Sequence, residues 1–233
     1  MRKILYLAAA AFLCASCFHV NSNFKGPIRI GGKNSVKGEG AVVSKSFEFK
    51  DFDAIRINGN ADVLYTQGEN WEVTVRTQEN VIDELDFHVD GSVLVLQAKD
   101  KKTIQSEEYS VTVQAPVLKD IEVNGSSDFD IPAGMKSDGN LEVQVNGAGD
   151  FTLKGIVCRD LKIQANGASD INAYDIDVKS VKVEINGAGD CDLTGNAGEA
   201  SFEVNGAGDI DATGLKVAGE VKRRSAGLAT IKL

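Results

Sequence analysis

Along the second half of the chain, apolar and polar residues alternate in short runs that return with a fixed rhythm. Leu141, Val143 and Val145 alternate with Glu142 and Gln144, Leu161 and Ile163 with Lys162 and Gln164, and Val181, Val183 and Ile185 with Lys182 and Glu184. A period of two sends successive side chains to opposite faces, so each run predicts a strand with one face buried. A second alternation follows each of these, in Phe151 and Leu153, Ile171 and Ala173, Cys191 and Leu193, and Ile210 and Ala212. A third short apolar pair, such as Ile176 and Val178 or Leu215 and Val217, precedes the return of the first.

Between the first and second alternation stands a Gly-rich corner. Asn-Gly-Ala-Gly-Asp is complete at 146–150, 186–190 and 205–209, with variants at 58–62 (NGNAD), 124–128 (NGSSD) and 166–170 (NGASD). From Asn124 onward the intervals are 22, 20, 20 and 19 residues. A period in that range is too short for separate domains and signals a solenoid, in which one supersecondary unit stacks on the next to bury a shared core. Three strands and three corners per repeat describe one coil of a right-handed parallel β-helix. Asn-Gly tolerates the positive φ of a tight corner. Stacked asparagines can also bond to one another up the column, a ladder that stabilises the stack.

Upstream the rhythm stretches. Ile55 and Ile57 lead into 58–62 and then Val63 and Tyr65, a first coil with the same corner. Phe87, Val89, Asp90-Gly91, Val93 and Val95 predict a second, with Asp-Gly in place of Asn-Gly. Corners at 58, 90 and 124 are then 32 and 34 residues apart, the excess going into loops at 67–71, 78–83 and 100–108. At the far end 224–227 (RSAG) forms a degenerate last coil. The expected fold is an all-β solenoid of about eight three-strand coils, about 35 Å tall at the spacing of stacked strands. Residues 41–233 make one domain, with long-looped coils over 41–120 and regular ones over 121–233. The 24 Gly and 3 Pro suit tight corners around an aliphatic core.

The N-terminus changes the compartment. Met1-Arg2-Lys3 is basic, 4–13 is apolar, and Cys14-Ala15-Ser16-Cys17 offers a small-residue cleavage site. The apolar run is too short to span a bilayer, so 1–17 reads as a cleaved signal peptide. Ending in a cysteine, it resembles a bacterial lipoprotein signal with Cys17 as the lipidated residue. Residues 18–40, rich in Gly, Asn, Ser and Lys, read as a flexible tether. Loss of Arg2 and Lys3 takes the formal charge from -9 to -11. An acidic chain without a basic stripe is a poor partner for nucleic acid.

Candidate chemistry is sparse. Asp128, Asp150, Asp170, Asp190 and Asp209 form a column of carboxylates, and neighbouring like charges must be offset. Their oxygens can accept backbone N–H groups of the Gly-rich corners. The alternative is a column of bound Ca²⁺, which takes 6–8 oxygens; here, however, Asp stands one residue early for the calcium-binding nonapeptide and the period is doubled. No other cofactor is indicated. His19 and His88 alone supply neither a zinc triad nor a Ser-His-Asp set. Cys158 and Cys191 fall in different strand columns, which argues against a disulfide and for buried small hydrophobes. Lys222, Arg223 and Arg224 read as a solvated terminal cap, and Trp71, Tyr65 and Tyr109 as packing or, alternatively, a sugar-stacking patch.

With Phe52-Asp53-Ala54-Ile55, Gln67-Gly68, Ala115-Pro116 and the repeated Asn-Gly-x-Gly-Asp in this order, residues 45–230 resemble the head GIN domain family of auto-transporter adhesins. The resemblance implies a β-helix-like fold in envelope proteins, often lipoproteins of Bacteroidetes-type bacteria, and it implies no catalytic residue. The expected function is therefore that of a non-catalytic cell-envelope lipoprotein, anchored to the membrane by its lipid, facing the periplasm or the exterior. It would act as an adhesive or structural module toward a glycan or surface-protein ligand. Its long upstream loops and the flat Glu/Gln flank would carry the contacts; the alternative is a carbohydrate-binding or lyase- or pectinase-like β-helix protein, possibly calcium-dependent, using carboxylates, Ca²⁺ and Arg or Lys in a groove.

Overall fold

The computed structural model describes residues 34–233; the signal peptide, Cys17 and most of the tether lie outside them. Each repeat supplies one strand to each of three faces. On the first face the parallel strands run in spatial order Val93–Gln97, Ala54–Gly59, Asp120–Ser126, 141–148, 161–168, 181–187, 200–206 and Val221–Gly227. The second face stacks Asp62–Gln67, Phe129–Ile131, 151–154, 171–173, 191–193, 210–211 and Thr230–Lys232, again parallel. The third holds Met135–Lys136, 156–157, 176–178, 195–197 and 215–217. Register is kept without slip at the corner, with Asn146 beside Asn166 and Gly147 beside Gly167.

The alternation explains the interior. Ile55, Ile121, Val143, Ile163, Val183 and Phe202 share the inward position of the first face and are at most 1% exposed. Phe129 and Phe151 stack within the second, their ring centroids 6.5 Å apart and 9° from parallel. Each such side chain contributes about 1.5–3 kcal/mol by leaving water. No coil can bury its strip alone, so stability comes from stacking neighbours.

About five turns carry all three faces, fewer than the eight expected. The difference lies upstream. Asp90-Gly91 is not a solenoid corner: Gly91, at φ +62°, turns a hairpin in which His88–Asp90 runs antiparallel to Val93–Gln97. Asp-Gly between alternating apolar residues is also the signature of a tight hairpin, and the hairpin prevails. Leu94 and Leu96 point inward, and Gln97, not Asp90, stands beside Asn58. The coil at 54–67 therefore lies directly against the coil at 120–131.

Between these two coils the chain builds an end cap. Tyr109–Ala115 extends the second face in parallel with Asp62–Gln67, and Glu72–Gln78 and Val42–Phe47 follow antiparallel. The cap also includes the short helix Glu79–Ile82 and the 3-10 turn Lys99–Lys101. Ser35–Lys37, inside the stretch expected as tether, pairs in parallel with Thr103–Gln105. Thr103–Gln105 lies in the loop foreseen at 100–108.

Candidate functional site

The asparagines of the corner form one continuous ladder. Nδ2 of Asn205 donates to Oδ1 of Asn186 (3.1 Å), Asn186 to Asn166 (3.0 Å), Asn166 to Asn146 (2.9 Å), Asn146 to Asn124 (2.9 Å) and Asn124 to Asn58 (3.1 Å). At the capped end Asn58 donates to Oε1 of Gln97 (3.0 Å), and Nε2 of Gln97 donates to Oδ2 of Asp86 (2.8 Å). An ionised carboxylate only accepts hydrogen bonds. Asp86 thereby requires Gln97 to present its N–H downward and its oxygen upward, and the same choice propagates through every amide above. All the side-chain dipoles point the same way, with their positive end at the cap.

The residue after each Asn shows why glycine is needed. Gly147 and Gly167 have φ of +153° and +151°, and a Cβ on either would drive into the backbone oxygen of the corresponding glycine one coil below. The corner strands can approach this closely only without side chains.

The Asp column is held locally. Oδ1 of Asp62, Asp128, Asp190 and Asp209 accepts the backbone N–H of Asp128 (3.2 Å), Asp150 (2.9 Å), Asp209 (2.8 Å) and Thr230 (2.8 Å) respectively. Asp170 continues the column in register with Asp150. Asp62 is held above the usual carboxylate range, first by burial and then by the nearby charges of Asp128, Asp130 and Glu108. Among the described residues no group of three or more His, Cys, Asp or Glu side chains is arranged to hold a metal ion.

Outside the first face, charge is neutralised along the stack. Lys162 pairs with Glu142 (2.7 Å), and Gln164 donates to Glu184 (2.6 Å). Arg56 pairs with Glu122, which Asn124 and Arg56 together hold below the ordinary glutamate range. Asp120 is pushed up, first by burial and then by Glu142 and Glu122.

A concavity forms where the cap folds over the ladder's end, a cleft of about 530 Å³ between the Asn58 and Asn124 corners and the segment 97–103. Asn58, Asn60, Gln97, Asn124, Lys101 and Thr103 are among its lining residues. Three cleft amides have a donor to spare: Asn60 gives one N–H to Ile104 O (2.8 Å), Asn58 one to Gln97 and Gln97 one to Asp86, whereas Asn124 uses both, on Asn58 and Glu122. Lys102 is paired with Glu84 (2.6 Å), while Lys101 is exposed and forms no salt bridge with any described residue. The backbone at Asp100 and Lys101 takes φ of +54° and +53°, which turns this segment back across the corner.

The family model for "Putative auto-transporter adhesin, head GIN domain" matches residues 51–175 and 160–233. The chain belongs to this family. Solved structures share the GIN-domain fold at low identity. A "putative adhesin" from Bacteroides fragilis is 19% identical with a TM-score of 0.71, the match covering 85% of this chain and 99% of that one. A "putative adhesin" from Parabacteroides distasonis is 19% identical with a TM-score of 0.74, covering 85% and 99%. A "putative lipid binding protein" from the same species is 19% identical with a TM-score of 0.74, covering 85% and 96%. The comparison with curated proteins finds no match.

Other expected sites of this GIN domain land elsewhere. Tyr65 and Tyr109 do not make a surface patch: both are core residues, and the Tyr65 hydroxyl donates to Ala115 O (2.9 Å). Trp71 packs on the cap with Nε1 donating to Phe52 O (2.8 Å). Cys158 and Cys191 are both free and buried, in the separate columns foreseen, and burial pushes the Cys158 thiol up to about 11. Arg223 occupies an inward register position beside Phe202, so the last coil presents a charge where earlier coils present apolar side chains. His88 sits on the cap hairpin, 3.5 Å from an Asp86 oxygen. The cleft was not foreseen as such. Its one sequence signal is that Leu94-Val95-Leu96-Gln97 repeats the pattern of Ile55-Arg56-Ile57-Asn58, an amide closing an alternation.

Proposed function

We propose that this GIN-domain protein is a rigid, non-catalytic adhesive module of the bacterial envelope, tethered through a lipid on Cys17, and that it engages its ligand at the cleft beside Asn58 and Lys101. The observation that carries this reading is the junction itself. A hydrogen-bonded column runs without interruption from Asn205 to Asp86 and ends at a cleft formed where an irregular insertion folds over it. A stiff stack loses little conformational freedom on binding, so contacts at its end are pre-organised. The family and the solved relatives named as adhesins support the adhesive role. A lipid-carrying role has less support, because the solenoid interior is filled by side chains such as Phe129, Phe151 and Phe202 at 0–1% exposure.

The test uses cells displaying the protein. Substituting Cys17→Ala should move it from the membrane fraction to the soluble fraction and end fatty-acid labelling. Lys101→Gln and Asn60→Ala should each lower adhesion to the host or biofilm surface without lowering surface abundance. Unchanged adhesion in both cleft variants overturns the reading.

A further inference from the structure

We propose that this cleft takes a carboxylated saccharide, a uronate-bearing glycan, with the carboxylate on Lys101 and the hydroxyls on the spare amide groups of Asn58 and Asn60. The inference rests on the adhesive reading above and names the ligand class for the same site.

Two observations lead to the acid. Lys101 is the cleft cation left without a carboxylate among the described residues, since Lys102 is taken by Glu84 and Lys99 Nζ donates to Asp83 O (2.6 Å). The unspent groups are mainly donors: an N–H each on Asn58, Asn60 and Gln97 and the ammonium of Lys101, with Asn60 Oδ1 and the Thr103 hydroxyl as acceptors. A ligand rich in acceptors and bearing one anion matches that set.

Two further observations favour a sugar over an acidic peptide. Val93–Gln97, the strand that ends at the cleft, is paired on both sides, so a peptide cannot add as a strand there. The cleft also has mixed donors and acceptors at neighbouring positions, as vicinal hydroxyls require, and its lining includes Gly59, Gly125 and Ala98. A flat pyranose face fits against residues that carry no side chain.

The experiment titrates the full-length protein with tri-galacturonate, its fully methyl-esterified form, hexaglutamate and inorganic phosphate, reading heat and amide NMR shifts. Tri-galacturonate is expected to bind, with shifts at Asn58, Asn60 and Lys101, and the ester about tenfold or more weaker, as loss of a charge-assisted hydrogen bond implies. Lys101→Gln should weaken the acid about tenfold and leave the ester unchanged, Lys101→Arg should restore binding, and Arg224→Ala at the opposite end should have no effect. Phosphate or hexaglutamate binding as tightly as the uronate overturns the saccharide, as does uronate binding that Lys101→Gln and Asn60→Ala both leave intact. Absence of uronate binding while Lys101→Gln still lowers cell adhesion overturns the ligand class and leaves the adhesive reading standing. Absence of both overturns the two together.

Discussion

Substituting adjacent residues of one corner separates the two forces that hold it. Asn166→Ala deletes the ladder bonds to Asn146 (2.9 Å) and from Asn186 (3.0 Å). Each is a solvent-accessible hydrogen bond with a net value of about 0.5–1.5 kcal/mol. Water can satisfy the groups left behind, so the total should be about 1–2 kcal/mol. Gly167→Ala removes no bond but adds a methyl where φ is +151° and where it meets the Gly147 backbone oxygen. Backbone strain of about 1–3 kcal/mol adds to overpacking of about 1–3 kcal/mol, and the obstruction is main chain, which cannot rotate away. The smaller chemical change should therefore cost more, about 2–6 kcal/mol against about 1–2 kcal/mol. Urea unfolding measured by far-UV circular dichroism gives both values. Fluorescence of Trp71, the single tryptophan, reports the cap separately. In a stack where each coil contacts only its neighbours, Gly167→Ala should unzip the upper coils first, so the dichroism midpoint should fall below the fluorescence midpoint. Gly167→Ala costing no more than Asn166→Ala would refute the account of the corner.

Other expectations follow from the same contacts. Glu122 lies below its ordinary value in the folded chain, so its contribution is fully present above about pH 4.5 and lost as pH falls through the folded value. Glu122→Gln should accordingly flatten the fall of melting temperature between about pH 5 and pH 3, and parallel slopes would refute this. Asp62 is raised, so its ionised form costs stability above the folded value and nothing below both values. Asp62→Asn should match or exceed the native protein at pH 7, the difference closing as pH falls; a variant less stable at pH 7 contradicts this. Cys191 is fully buried and Cys158 nearly so, with both thiols shifted up, so neither should react with a maleimide until the chain is unfolded. Asp86→Ala removes the acceptor that orients the ladder, and exchange of the Asn58 side-chain amide protons should accelerate severalfold; an unchanged rate means the ladder is oriented from elsewhere.

The regular coils were legible because their signal is redundant. Leu141 to Val217 repeat the same inward and outward choices, and Asn-Gly marks the same corner each time, so register followed from spacing alone. The cap was not legible for a physical reason: its pairings join residues far apart in the chain. Ile55 lies beside Ile121, 66 residues later, and no local pattern encodes that adjacency. Asp90-Gly91 serves a hairpin or a corner equally well as a dipeptide, and only the antiparallel partner His88–Asp90 decides between them. Lys101 and Thr103 belong to no repeat column. They reach the corner because Thr103–Gln105 is held by Ser35–Lys37 from outside the repeats.

That distinction bears on where function sits. In an array of equivalent coils every corner presents the same Asn, Gly and Asp, so a ligand recognising one would meet the others equally and slide along a flat flank. The ladder makes the corners still more alike, because each amide bonds to the one below it in the same way. A discriminating site needs an interruption, and among the described residues the largest is the 68–119 insertion between Asp62–Gln67 and Asp120–Ser126. There the column meets Asp86 instead of another asparagine, the flank gains a wall from 97–103, and Asn60 offers an amide where the later corners carry Ala or Ser. The same insertion also closes the end of the core, its Val111 and Val113 fully buried with Tyr65. Loosening the cap must therefore weaken the stack and the site together. A cleft variant that abolishes binding while the protein melts as before, such as Lys101→Gln on an exposed turn, is what separates recognition from capping.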